Sequence, residues 1–523
     1  MDFAQSLRDM IGHMSAVNPK KVAIFAPIAL WERHWAFAIE VAHREDRAGN
    51  LPLIIHCKKA LESCPPNPSH LSWKCSQCVH QVKTSISQHF PKSAKHLFIG
   101  ESDVNYAKAR ISVPSINNSA EMSSFKYDNF PFGSHVISHL ISINRDRNLP
   151  DQIIRDVGSN LLINSIAMYE SLNFLLPQDI EKIILWGGRR SSEAPIKFVA
   201  EKRGLDLLFF EEGSSHDRYI LTNEDPFVFD NFTKLVRNWE VERILKGELD
   251  VMLEEGSNYY LDRRKGKNQE PNFVWFNKGA KPIPLIGNKE KRILAIFTSS
   301  DWEYAELELA TNSSIGSEFA NQYTSLTKIL KDEFIKENFE IVVRWHPNHR
   351  ISGLFEKQAI SSVIDGSSEV THFRYTDSVD SYQLVEMSDI VLVFNSTIGI
   401  EAAYLEKPTI MLGNSNYAGL GSVYRPENMR ELRNLLTGEL GPLPNYGAIL
   451  YGAYMKNRGT PLQTLSYKVN SYFIYDQRIQ NTPFRVKMRF ILGAIKRSCR
   501  NFWLDFVSNL TSKHSSFNRP YKE

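Results

Sequence analysis

The stretch DIVLVFNSTIGIEAAYLEKPTIMLG, residues 389–413, decides how this chain folds. DIVLVF is an apolar run with no inside–outside alternation, as in a strand covered on both faces. STIGIEAAYLE reads as a short helix, and KPTIMLG is a second apolar run. Strand, helix and strand at this spacing form a parallel crossover unit.

The alternation extends upstream. KRILAIF (291–297), FEIVVRWHP (339–347) and VTHFRYT (370–376) read as strands, with helical patterns over 317–336 and 378–388. The N-terminal half repeats the theme. KVAIFAP (21–27), LPLIIHC (51–57), KHLFIG (95–100), EKIILWGG (181–188) and DLLFFEEG (206–213) are strands, and 28–45, 152–176 and 191–204 are helical. Residues 101–148 read as a polar, irregular insertion. Residues 255–290, rich in Lys, Gly, Pro and Asn, read as a linker. The expected fold is α/β, with two doubly wound Rossmann-like domains facing a cleft. An N-terminal domain over 1–285 and a C-terminal domain over 286–470 are followed by a tail over 471–523.

Composition narrows the function. The chain has 523 residues, 42% hydrophobic and 23% charged, with a formal net charge of +3. That balance gives no electrostatic reason to expect a nucleic acid partner. No apolar run is long enough to cross a membrane, and residues 1–21 lack a signal peptide's apolar core. A cytoplasmic location is expected.

Ligands of open α/β sheets bind at the carboxyl ends of the strands, and two strand ends carry suitable chemistry. In VFNSTIGIEAAY (393–404) the strand stops at Asn395. Ser396 or Thr397 can cap the helix, the helix start favours an anion, and Glu401 can accept hydrogen bonds from a ribose diol. The same residues also suit an ordinary capped helix. In VVRWHPNHR (342–350) four bases, Arg344, His346, His349 and Arg350, surround a proline. Arg344 can hold a phosphate through its planar fork and His346 can donate a second hydrogen bond.

Together these residues carry a resemblance. RWHPN, followed by SYQLVEMSDIVLVFNSTIGIEAAYLEKPTIMLG, resembles the C-terminal domain of bacterial capsule and surface-polysaccharide glycosyltransferases of the GT-B type. The resemblance implies a GT-B fold and transfer of a sugar from a nucleotide-sugar donor to a capsule or lipopolysaccharide acceptor, glycan or lipid-linked. It implies that Arg344 and His346 contact the donor phosphates, that Ser396 and Thr397 lie at the diphosphate with Asn395 in the same donor site, and that Glu401 meets the ribose. FTSSDWEY (297–304) resembles the first cleft loop of that domain, which puts Ser299 and Ser300 by the donor. No DxD motif ends a strand, so no catalytic metal is expected. A glycerol- or ribitol-phosphate transferase of the teichoic-acid type, a nucleotide-sugar epimerase and a non-catalytic GT-B-like scaffold are the alternatives.

An inverting transferase needs a base on the acceptor side. FFEEGSSHDRY (209–219) offers Glu211, Glu212 and His216, and it resembles an acceptor-lining segment of the same family. WERHW (31–35) offers His34. Glu211 is the first candidate, and solvated loop charge is the plain alternative. In WGGRRSSEAP (186–195) Arg189 can bind an acidic sugar or a lipid phosphate.

Cys57, Cys64, Cys75 and Cys78 form C-x6-C-x10-C-x2-C around a proline-rich loop. The closing C-x2-C suits half of a structural zinc site, and four unligated thiols are the alternative. Finally, apolar residues recur at helical spacing over Met488–Leu510 beside Lys487, Arg489, Lys496, Arg497 and Arg500. A basic amphipathic helix of this kind suits peripheral contact with the inner face of the cell membrane. A helix that packs back on the N-terminal domain is the alternative.

Overall fold

The structure is a computed structural model that describes residues 19–267, 283, 291–311 and 318–479. The helical pattern at Met488–Leu510 lies outside the described residues, as does most of the stretch 268–290.

The N-terminal sheet contains β1 (Lys21–Phe25), β2 (Leu51–Lys58), β3 (Lys95–Gly100), β4 (Ile180–Trp186), β5 (Asp206–Glu212) and β6 (Arg218–Thr222). Its order is β3-β2-β1-β4-β5-β6, parallel except for β6, which returns antiparallel on β5. The C-terminal sheet contains β7 (Arg292–Phe297), β8 (Phe339–Arg344), β9 (Thr371–Phe373), β10 (Ile390–Val393) and β11 (Thr409–Met411). Its order is β11-β10-β7-β8-β9, all parallel. Each sheet therefore reverses its strand order once, between β1 and β4 and between β7 and β10. Ligand crevices of doubly wound sheets open at such reversals. Two Rossmann-like domains of this topology make a GT-B fold.

Three expectations need correction. Residues 101–148 are not irregular. They hold helices Glu101–Lys108, Ser119–Ser124 and Phe132–Asn144, and the last is buried and packs on helix Asp301–Thr311. Polar residues such as His135 and His139 disguise it, because their ring nitrogens bond inward to Arg189 O and Ser191 Oγ. The helical pattern over 317–336 is two helices, Gln322–Leu330 and Glu333–Asn338, divided where Asp332 caps the second.

The largest correction concerns the boundary. Residues 255–264 are not linker but the end of helix Leu249–Arg264, which packs along helix Tyr446–Asn457. The two helices meet at glycines: a Cβ on Gly256 would stand 2.2 Å from Ile449 O, and one on Gly452 2.7 Å from Gly256 O. That approach, with Met252, Tyr259 and Tyr260 buried, ties the helix to the C-terminal core. In return, residues 458–479 belong with the N-terminal sheet. β12 (Thr460–Pro461) pairs with β6, and β13 (Ser466–Lys468), β14 (Ser471–Ile474) and β15 (Gln477–Arg478) form a small antiparallel sheet. Leu465, Tyr472 and Ile474 pack in the cluster of Trp35 and Phe37. The buried Glu40 carboxylate accepts hydrogen bonds from the backbone N–H groups of Gln463, Thr464 and Leu465 at 2.9–3.0 Å. A tail beginning at residue 471 therefore starts too early.

Candidate active site

Each strand reversal opens on a cavity. The C-terminal one, about 100 Å³, is lined by Phe297 and Thr298 after β7, Arg344 and His346 after β8, and Ser396, Thr397 and Glu401 after β10, with Arg263 and Tyr382 beside them. It is smaller than the roughly 300–1,000 Å³ of a typical ligand pocket, so it has room for the phosphate end of a nucleotide rather than for the whole.

Arg344 is buried there, but its fork is occupied. Nη1 donates to Arg374 O at 2.6 Å and Nη2 to Asp377 O at 3.1 Å, which leaves Nε without a partner. His346 accepts at Nδ1 from Asn348 N, and its own N–H donates to Thr298 Oγ1. Burial, with His349 and Arg344 adding to it, pushes the His346 pKa down to about 3, so the ring is neutral. His349 is fully buried, and burial brings it to about 3 as well. The cationic strand end read from four bases thus reduces to two, Arg344 and the exposed Arg350.

Ser396 and Thr397 line the cavity, but neither side chain caps helix Ile398–Tyr404. The expected cap is absent because Thr397 already has helical backbone angles. Asn395, Ser299 and Ser300 do not line the cavity and are hydrogen-bonded to their neighbours. Asn395 Oδ1 accepts from Asn414 N at 2.9 Å, and Ser299 Oγ accepts from Asn395 N at 3.0 Å. Ser300, fully buried, bonds His346 Nδ1 at 3.2 Å. Glu401 reaches the cavity already paired, because Oε1 accepts from Arg263 Nη2 at 2.7 Å and Nε at 3.1 Å.

The N-terminal cavity is larger, about 720 Å³. It brings together every acceptor-side candidate: His34 after β1, Arg189 after β4, Glu211 and Glu212 at the end of β5, and His216. Gly187 and Gly188, both at positive φ, turn the chain sharply after β4 so that Arg189 and Arg190 follow at the rim. β13 and β14 contribute Tyr467 and Tyr472.

The candidates differ in freedom. Glu212 is held by Arg33. Glu211 has a buried Oε1 with no hydrogen-bond partner, and burial, reinforced by Glu212, pushes its pKa up to about 7. His34 lies between the rings of Trp31 and Trp186, each 3.6 Å away by centroid, and burial drives its pKa well below the usual histidine value. His216 stacks on Tyr467, and burial lowers its pKa too. Arg189 crosses to the other domain, with Nη2 2.6 Å from Glu306 Oε1. Its charge is neutralised there, so it is not the free cation expected from the sequence.

Sequence reading missed Arg190, Arg458 and Arg263. Arg263 sits one helical turn after Tyr259 in NYYLDRR, and that spacing is the only local signal for it. Arg190 looks the same as Arg189 until the fold gives each its neighbours.

The four cysteines line one small cavity at the end of β2, with Asn67 and Lys74. Burial raises all four thiols, Cys57 to about 12. The proline-rich loop already has a staple: Asn67 bonds Leu71 N and O through its side chain and reaches Cys75 Sγ at 3.2 Å. Among the described residues no three His, Cys, Asp or Glu are placed to hold one metal ion. Nor is any helix among them long and apolar enough to cross a membrane.

Solved structures of the same general kind include a beta Kdo 2,4 transferase, KpsC, of Thermosulfurimonas dismutans. It shows 15% identity and a TM-score of 0.32, over 53% of this chain and 80% of that one. A glycosyltransferase of Rickettsia africae shows 11% identity and a TM-score of 0.24, over 84% and 93%. A UDP-GlcNAc 2-epimerase of Neisseria meningitidis, bound to UDP-GlcNAc, shows 10% and 0.24, over 84% and 94%. Likeness at these scores carries no argument about function. No curated protein matches the sequence. The family described as capsule polysaccharide biosynthesis protein matches residues 309–431, the segment that runs from β8 through the Ser396–Glu401 turn and supplies most of the C-terminal cavity.

Proposed function

We propose that this protein is a nucleotide-sugar-dependent glycosyltransferase that adds a sugar to a capsule or lipopolysaccharide acceptor. One observation carries the reading. Both strand reversals open on cavities of complementary chemistry, one lined by hydroxyls, a helix start and an arginine Nε, the other holding Glu211, whose Oε1 is unpaired while Oε2 accepts from Glu212 N. The match of residues 309–431 to capsule polysaccharide biosynthesis proteins gives the chemistry its setting.

In this reading the donor's phosphate enters the C-terminal cavity and meets Arg344 Nε, Ser396 and Thr397. An acceptor hydroxyl in the N-terminal cavity attacks the anomeric carbon as the bond to the phosphate oxygen breaks. Glu211 takes the hydroxyl proton, and a base whose pKa is close to the working pH suits that role. The nucleotide leaves with the electron pair, and its growing negative charge is met by fixed donors already in place.

The test is release of free nucleotide from a panel of UDP-, GDP- and CMP-sugars, with and without bacterial surface glycan. Acceptor-dependent release from at least one donor is expected, with loss in Thr397→Val. This exposed side chain can change without disturbing the fold. No release and no thermal shift with any donor would overturn the reading.

A further inference from the structure

Four arginines line the N-terminal cavity: Arg33, Arg189, Arg190 and Arg458. Arg33 is paired with Glu212 and Arg189 with Glu306. Of the other two carboxyls of the lining, Glu32 is bonded to Ser471 and lies 3.6 Å from Arg478, and Glu211 accepts from Glu212 N.

Arg190 is different. It is 7% exposed, and its Nε and Nη1 are buried with no hydrogen-bond partner. Its side-chain hydrogen bond is a long one, Nη2 to Ser142 Oγ at 3.4 Å. Burial disfavours its charge, Arg189 pushes against it, and Glu193, Glu306 and Glu211 offset only part of this. A buried guanidinium with unpaired N–H groups is costly. The rings of Trp31 and Trp186 flank it at 5.8 and 5.6 Å. Cation–π contact offsets part of that cost but leaves the two N–H groups unsatisfied. Arg458 adds a second unpartnered Nε to the same cavity.

Given that this is the acceptor cavity, as proposed above, we infer that its acceptor carries an anionic group, a carboxylate or a phosphate, bound by the free Nε and Nη1 of Arg190. A planar guanidinium meets either group through two N–H donors. The anion expected at Arg189 is thereby moved one residue along the chain. Arg189 is the pin between domains, and Arg190 is the specificity residue. Glu211, in the same cavity, is the neighbour that would repel the anion if placed beside it, so the hydroxyl to be glycosylated belongs at Glu211 and the anion at Arg190.

The test is isothermal titration of the full chain with glucuronate, glucose and glycerol 3-phosphate. A charge-assisted contact predicts about tenfold or more tighter binding of an anion than of glucose. Preference for glucuronate identifies an acidic sugar, and preference for glycerol 3-phosphate identifies a phosphate-bearing acceptor. Arg190→Gln should abolish the preference and Arg190→Lys should restore part of it. Equal binding of all three probes, or a preference that survives Arg190→Gln, overturns the inference. If Arg190→Gln does not fold, phenylglyoxal labelling of the wild-type protein decides, with Arg190 shielded by the preferred anion and equal labelling counting against the idea. Nucleotide-sugar binding is measured separately. Donor binding without anion preference defeats this inference alone, and Arg190-dependent anion binding without any donor binding defeats the glycosyltransferase reading alone.

Discussion

Arg263 and Glu401 form a buried ion pair, with Nη2 and Nε at 2.7 and 3.1 Å from one carboxylate oxygen. Each side chain is 5% exposed. The pair joins helix Leu249–Arg264, which comes from the N-terminal half of the chain, to the short helix after β10. It sits in the wall of the C-terminal cavity. Glu401 therefore has a structural partner before any ligand arrives.

Breaking that pair should be costly. Arg263→Met or Glu401→Leu is expected to destabilise by about 3–5 kcal/mol, because each leaves an uncompensated buried group. The double variant Arg263→Met/Glu401→Leu should recover much of the loss and still lack donor binding. Urea titrations of the four proteins give the coupling. If the two single losses simply add in the double variant, the pair is not a unit.

Glu211→Gln keeps the shape of the side chain and removes its basicity. Donor binding should stay near wild type while transfer is lost by two or more orders of magnitude, in line with the roughly 10²–10⁴-fold contribution of a general base. The wild-type pH profile gives a second check. The active form is the carboxylate, so kcat should rise with pH up to about 7 and level off above it. An active Glu211→Gln enzyme would place the base elsewhere in the cavity.

Stability should fall on acidification sooner than carboxylates alone would cause. Burial holds His56, His139, His346 and His349 at about 3 and His135 at about 4. In the unfolded chain they titrate near 6.5. Between about 6.5 and 3 the unfolded state binds more protons, so this contribution is full above 6.5 and is lost as pH falls. Glu211, Glu303 and Glu356, raised to about 7 by burial, act in the opposite direction between about 4.5 and 7. They are fewer and shifted less, so the histidines dominate. Melting temperature should drop clearly between pH 7 and pH 5, and a flat or rising value would contradict this balance.

A structural zinc on Cys57, Cys64, Cys75 and Cys78 is a proposal that rests on their shared cavity. As placed, no three of them can hold one metal ion, so the side chains would have to move together to form a ligand set. Protein purified without chelator should then hold about one zinc per chain. Removing it should expose four reactive thiols and leave nucleotide binding intact, because the cysteines lie at the end of β2, outside the C-terminal cavity. Zinc-free protein with all four thiols labelled by a thiol reagent under native conditions would end the proposal.

The strands of both sheets, and which strand ends carry chemistry, were legible in the residues. Unbroken apolar runs such as IVLV and the IVV of β8 state burial on both faces, which is a local property of composition. Glu211 and the Ser396–Thr397 turn follow from their places just past such runs. What a local reading could not give is partnership. Arg189 and Arg190 are adjacent and identical in type, yet one neutralises Glu306 in the other domain and the other is left with free N–H groups. Arg344 looked free and is bound by the carbonyls of residues 374 and 377, and His346 looked cationic and is neutral through burial. The chain also crosses between its halves twice, with 249–264 packing on the C-terminal core and 458–479 on the N-terminal sheet. Two glycines and the Glu40 carboxylate permit that exchange, and they meet their partners only across about 200 to 425 residues of sequence. Apolar burial is written into each segment's own composition, whereas charge pairing and desolvation depend on what the fold brings alongside, and so the tertiary structure alone decided which of these polar groups are free to act.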